Sequence, residues 1–140
     1  MITLPEEINL AIRAEGERTY PNECCGFIFG KSEERGEDTY RSATEILPID
    51  NAREAEERHH RFVIGPDDFM AAEREARKKG LDVLGFYHSH PNWFSRPSDY
   101  DREHALPFYS YVILSVERGR AAELTSWELT SDRELFVQEL

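Results

Sequence analysis

With 140 residues, the chain has the length of one domain and is long enough to bury a genuine core. Its formal net charge of −11, from 28 acidic and 17 basic side chains scattered along the sequence, excludes general attraction to a phosphate backbone, so nucleic acid is not an expected partner and the acidity reads as solubility. No apolar run approaches the roughly 20 residues that cross a bilayer, and the start Met1-Ile2-Thr3-Leu4-Pro5-Glu6-Glu7 lacks a basic-then-apolar leader, so no membrane partner and a cytoplasmic location are expected.

Leu4, Ile8, Ala11 and Ile12 recur at helical spacing, and Gly16 with Pro21 mark an end, which predicts an amphipathic helix over residues 5–18. Cys25-Gly26-Phe27-Ile28-Phe29-Gly30 reads as a buried strand. Its neighbours Cys24 and Cys25 are the only cysteines, so no disulfide framework exists. Both thiols read as packing groups rather than nucleophiles. Residues 32–38, charged and containing Gly36, predict a hairpin turn into a second strand over 39–49. Residues 50–60 are polar and irregular and read as a loop of the kind that carries substrate contacts, before a strand at Arg61-Phe62-Val63-Ile64. Gly65-Pro66-Asp67-Asp68 opens a second helix that stops at Arg77-Lys78-Lys79 and Gly80, with acids and bases placed to complement its dipole.

Residues 81–88 read as a strand, with the two histidines where it runs out. Positions two apart in extended chain face one side, so His88 and His90 can approach one ion together. Residues 92–97 form a loop, and Ser98 opens a helix that includes Asp101, His104 and Leu106. Strands over 111–116 and 122–129 follow, then a terminal element of undetermined type over 133–140. Strands separated by helices predict one α/β domain over 1–140, with a mixed sheet in two or three layers; the hairpin excludes an all-parallel sheet.

The chemistry concentrates in His88-Ser89-His90-Pro91 and the following Pro97-Ser98-Asp99-Tyr100-Asp101. Two imidazoles and a carboxylate suit one zinc ion, because catalytic zinc takes three such ligands and leaves a fourth position for a water acidified to a pKa of roughly 7. A His-x-His pair alone is weak, and Asp101 has a second reading. Ser98-x-x-Asp101 also has the form of a capping box, which competes for the same carboxylate.

The full pattern resembles the JAMM (MPN-plus) metallopeptidases. Their motif is an upstream glutamate, then His-(Ser/Thr)-His-Pro, then Ser-x-x-Asp, and here residues 91–97 separate His90 from Ser98 with no position missing. Asn22-Glu23-Cys24-Cys25-Gly26 matches the upstream element; outside that match Glu23 would read as an exposed acid before a strand. The resemblance implies an MPN fold, layered like that of the cytidine deaminases, with a mixed sheet flanked by helices. It also implies that His88, His90 and Asp101 bind one zinc, that Glu23 bonds the water and shuttles its proton, and that Ser98 donates to the oxyanion.

Family members of this kind cleave after the Gly-Gly terminus of ubiquitin-like proteins. The compact form of this chain resembles the prokaryotic sulfur-carrier-processing peptidases and desampylases, which implies a β-grasp partner such as a ThiS-like or MoaD-like carrier, or its lysine conjugates. Residues 101–116 are too few for the insertion of polyubiquitin-specialised relatives. A non-catalytic MPN scaffold is the alternative, and it would be expected to lose metal ligands. A deaminase would need a Cys-x-x-Cys ligand pair that is absent, and the helix after Pro66 argues against a cupin. Trp93 and Phe94, apolar residues in the loop between the ligands, are expected to wall the substrate channel or to contact a partner. Asn92 is expected to position that loop. His59, His60 and His104 read as solvated or structural, with His104 one turn beyond Asp101 and near enough to support it.

Overall fold

The computed structural model describes residues 1–50 and 64–139. The expected strand at 61–64 and the histidines His59 and His60 therefore lie outside the described residues, except for Ile64. Among the described residues no helix is long and apolar enough to cross a membrane.

Among the described residues, seven strands form one mixed sheet. They are β1 (Ile2–Thr3), β2 (Cys25–Arg35), β3 (Asp38–Ile49), β4 (Asp82–Pro91), β5 (Ser110–Glu117), β6 (Arg120–Leu129) and β7 (Phe136–Gln138), arranged in the order β1-β3-β2-β4-β5-β6-β7. The pairs β1–β3 and β4–β5 are parallel and the others antiparallel. The hairpin is tighter than expected: Arg35 pairs with Asp38, so only Gly36 and Glu37 turn the chain. Gly36 takes a φ of +65, a conformation glycine adopts without cost. Residues 31–38 are exposed, and a ribbon wet on both sides needs no apolar alternation, so its charge was no sign of a turn.

Helix α1 (Glu6–Thr19) buries Ile8, Ile12 and Gly16, one residue per turn. The helix matches the expected span 5–18 to within a residue at each end, but Gly16 is not what marks its end. A Cβ there would sit 2.6 Å from Leu114 Cδ2, so glycine lets α1 lie close on β5. Helix α2 (Pro66–Lys78) starts as expected, with proline in its first turn and Asp68 Oδ2 accepting from Gly65 N at 3.2 Å. Helix α3 (Asp99–His104) is capped by Ser98 and ends before Leu106, shorter than expected. The undetermined terminal element contains edge strand β7.

Strand alternation divides the core in two. Ile28, Val112, Leu114 and Val116 pack with Ile8 and Ile12 of α1. Phe27, Phe29, Phe86 and Tyr111 pack with Ala72 and Ala76 of α2 on the opposite face. The architecture is therefore α/β in three layers. Phe86 stacks on Tyr111 at 5.1 Å between ring centroids and meets Phe27 at 5.4 Å, contacts worth about 0.5–1.5 kcal/mol each beyond area burial. β4 lies centrally between β2 and β5, and it continues to Pro91, so both histidines are strand residues rather than residues past its end.

Candidate metal centre

Strand register brings the upstream glutamate to the histidines. Cys25 pairs with His88, and because β2 and β4 are antiparallel, the same register continued outward would set Cys24 against Ser89 and Glu23 against His90. Ser89 N donates to Cys24 O at 3.1 Å, which extends the match past the last pair. Alternation then puts Glu23 and Cys25 on the side of His88 and His90. Glu23, His88 and His90 each offer a ligand atom within 4.8 Å of the others, and all three are buried. Glu23 is thus not the exposed acid that it would be in isolation.

Asp101 reaches the same place from α3. Ser98 Oγ accepts from Asp101 N at 3.1 Å and Asp101 Oδ2 accepts from Ser98 N at 2.9 Å, a reciprocal cap. That same Oδ2 lies 3.1 Å from His90 Nε2, while Oδ1 lies 3.2 Å from His88 Nε2. The two sequence readings of Asp101 therefore do not compete; one carboxylate caps the helix and meets both imidazoles. His90 Nδ1 lies 2.7 Å from the Phe94 carbonyl, which can only accept, so Nδ1 carries a proton and Nε2 is the ring nitrogen left to face an ion.

Electrostatics suit a cation. Burial pushes His88 below its ordinary value of 6.5, against the opposing pull of Asp101, so the ring is neutral near neutral pH. Burial also raises Asp101, but the contacts with His88 and then His90 outweigh it and hold the carboxyl well below the usual carboxylate range. Two imidazole nitrogens and one carboxylate are a zinc donor set. The Nε2 atoms of His88 and His90 are 3.1 Å apart. These separations approach the edge of about 3.3 Å that bonds of about 2.0 Å give a tetrahedron. The residues fit a zinc ion, and the net charge left on it would stay positive.

Two recesses flank the centre. A cavity of about 160 Å³ beside His88 and Asp101 has aromatic and aliphatic walls that include Phe69, Tyr100, Leu106 and Tyr111. A cleft of about 510 Å³ on the side of Glu23 is polar, with Glu15, Arg18, Asn22 and Asp50.

Trp93 and Phe94 are exposed beside the centre. Trp93 packs against the His90 ring at 5.0 Å, and the Arg96 guanidinium covers Phe94 at 4.7 Å. Asn92 does position their loop: its amide donates to Tyr20 OH and accepts from Arg118 N, both at 2.8 Å. His104 turns to Tyr100, stacking at 4.1 Å and meeting its carbonyl at 2.9 Å. Burial raises the Cys24 thiol to about 11 and pushes Cys25 up as well, so both are protonated packing groups. Sequence reasoning assigned no role to Ser89, whose Oγ accepts from Cys24 N at 2.8 Å. Its position between two histidines on one strand was the available signal that it faces the other way.

The family model described as prokaryotic homologs of the JAB domain matches residues 5–130. A desampylase from Haloferax volcanii is 36% identical over 120 residues, covering 84% of this chain and 78% of that protein. A solution structure from Salinibacter ruber is 38% identical with a TM-score of 0.75, covering 100% of this chain and 89% of the other. One from Desulfitobacterium hafniense is 28% identical with a TM-score of 0.81, covering 99% and 90%.

Proposed function

Because this chain belongs to the family of prokaryotic homologs of the JAB domain, we propose that it is, as one catalytic domain, a zinc-dependent peptidase or isopeptidase that cleaves after the Gly-Gly terminus of a ubiquitin-like β-grasp protein. The observation that carries this reading is the meeting of Asp101 with His88 and His90 at 3.1–3.2 Å, with Glu23 buried alongside. The desampylase likeness supports a conjugate of a ubiquitin-like protein as substrate. A Gly-Gly tail has no side chains to hold its backbone away from a buried site.

His88, His90 and Asp101 would hold the zinc. When bound, zinc supplies Lewis acidity, polarising the scissile carbonyl and lowering the pKa of water to about 7. Glu23 takes a proton from the attacking water, whose oxygen bonds to the carbonyl carbon. It then passes the proton to the nitrogen as the C–N bond breaks, so the amine leaves neutral and the carboxyl end of the carrier is freed. Ser98 Oγ already accepts from Asp101 N, which leaves its own hydrogen to donate to the oxyanion; such a donor is worth about 10²–10³ in kcat. The Phe94 carbonyl keeps the His90 ring in the tautomer that presents Nε2 to the ion.

Intact-mass analysis of Gly-Gly-extended and lysine-conjugated β-grasp carriers tests the proposal. Zinc-loaded wild type should remove mass at the Gly-Gly junction, whereas chelated protein should not. Glu23→Gln should retain zinc and lose about 10²–10⁴ in turnover. Carrier binding without cleavage by zinc-loaded wild type would instead identify the scaffold.

A further inference from the structure

Glu23 lies outside any strand: β2 begins at Cys25, and the last β2–β4 pair is Cys25 with His88. The place of its carboxylate therefore depends in part on what holds the backbone at residues 23 and 24. Ser89 N donates to Cys24 O at 3.1 Å, as an antiparallel ladder requires. The bond in the other direction is different, because Cys24 N donates to the side chain, Ser89 Oγ, at 2.8 Å. A hydroxyl stands where a ladder would use a backbone carbonyl, at the point where the chain of β2 leaves the sheet.

Ser89 is 0% exposed and Cys24 3%, so no bulk water replaces that hydroxyl if it is removed. Alternation along β4 places Ser89 on the face opposite His88 and His90. It can therefore hold the Glu23 backbone without touching the metal ligands. We propose that Ser89 is a positioning residue for Glu23, its hydroxyl fixing the Cys24 amide and thereby the aim of the Glu23 carboxylate. This rests on the reading of Glu23 as the proton carrier.

The test compares zinc-loaded wild type, Ser89→Ala and Ser89→Thr as full chains. The readouts are bound zinc, amide exchange and the Glu23 carboxyl resonance by NMR, and kcat and KM on a Gly-Gly conjugate. Ser89→Ala should keep one zinc, accelerate Cys24 amide exchange about tenfold, shift the Glu23 resonance, and lower kcat about tenfold with KM nearly unchanged. Ser89→Thr, which keeps the hydroxyl on the same carbon, should also keep one zinc and should restore the exchange rate, the resonance and kcat. A general packing role would instead lower zinc content and speed exchange along β2 and β4 alike, and that result overturns the proposal. So does wild-type kcat in Ser89→Ala. If the wild type cleaves no conjugate, the functional reading fails separately. Cys24 exchange and the Glu23 resonance then still decide, since both must move in Ser89→Ala and return in Ser89→Thr.

Discussion

At the scale of single residues, Asp101 combines tasks that are usually divided between two side chains. Its carboxylate caps α3 and faces both imidazoles. In metal-free protein the sign of the pH dependence follows. His88 has a lowered pKa, so below the ordinary value of 6.5 the unfolded chain binds a proton that the folded chain does not, and stability falls as pH falls. Asp101, also lowered, adds a further loss as pH drops through and below the ordinary 3.8. Thermal melts of chelated protein should decline from about pH 6.5 and again in the carboxylate range, with the second decline weakened in Asp101→Asn. The same variant should lose zinc; unchanged zinc content would mean the third ligand is another residue. That His88, His90 and Asp101 could meet was legible in the sequence because strand alternation and cap spacing are local rules. The partner of Ser89 was not, because it is 65 positions away and only the fold brings the two together.

Elements were legible where their signals were local and misplaced where packing decided. The start of α2 followed from proline, acids and a dipole-matched end. Gly16 was mistaken for a stop because nothing nearby in sequence announces that Leu114 and Val116 press on it. The short edge strand β7 has too little periodicity to separate it from coil. Gly85 is a similar case on β4: a Cβ there would sit 1.9 Å from Ser110 O, a backbone atom that cannot swing aside. Gly85→Ala should therefore push β4 from β5 just before the histidines and destabilise the fold by about 3 kcal/mol or more. Urea denaturation measures this, and a loss under about 1 kcal/mol would show that the strands separate more easily than the geometry implies.

For the whole molecule, an α/β class with a mixed sheet was legible from alternating elements, whereas the strand order and the division of the core by α1 and α2 were not. They depend on pairings between distant residues. The proposed ligands lie on β4 and on α3, a helix of six residues that is too short to stand alone. A metal joining the two should stabilise the fold. At about a hundredfold over its Kd, zinc should add about 2.7 kcal/mol, roughly 10 °C in Tm at this size. Calorimetry with zinc and with magnesium checks this, and an equal shift in Asp101→Asn would place the ion elsewhere.

The exposed β2–β3 ribbon has a practical consequence. β2 starts beside the histidines and runs 11 residues away from them, which at about 3.3 Å each carries the Gly36–Glu37 tip some 35 Å from the chemistry. A fluorophore, fusion partner or surface tether grafted at that tip leaves the opposite pole open to a protein-sized substrate. The molecule can thus be immobilised in one orientation and assayed against conjugates flowing past it.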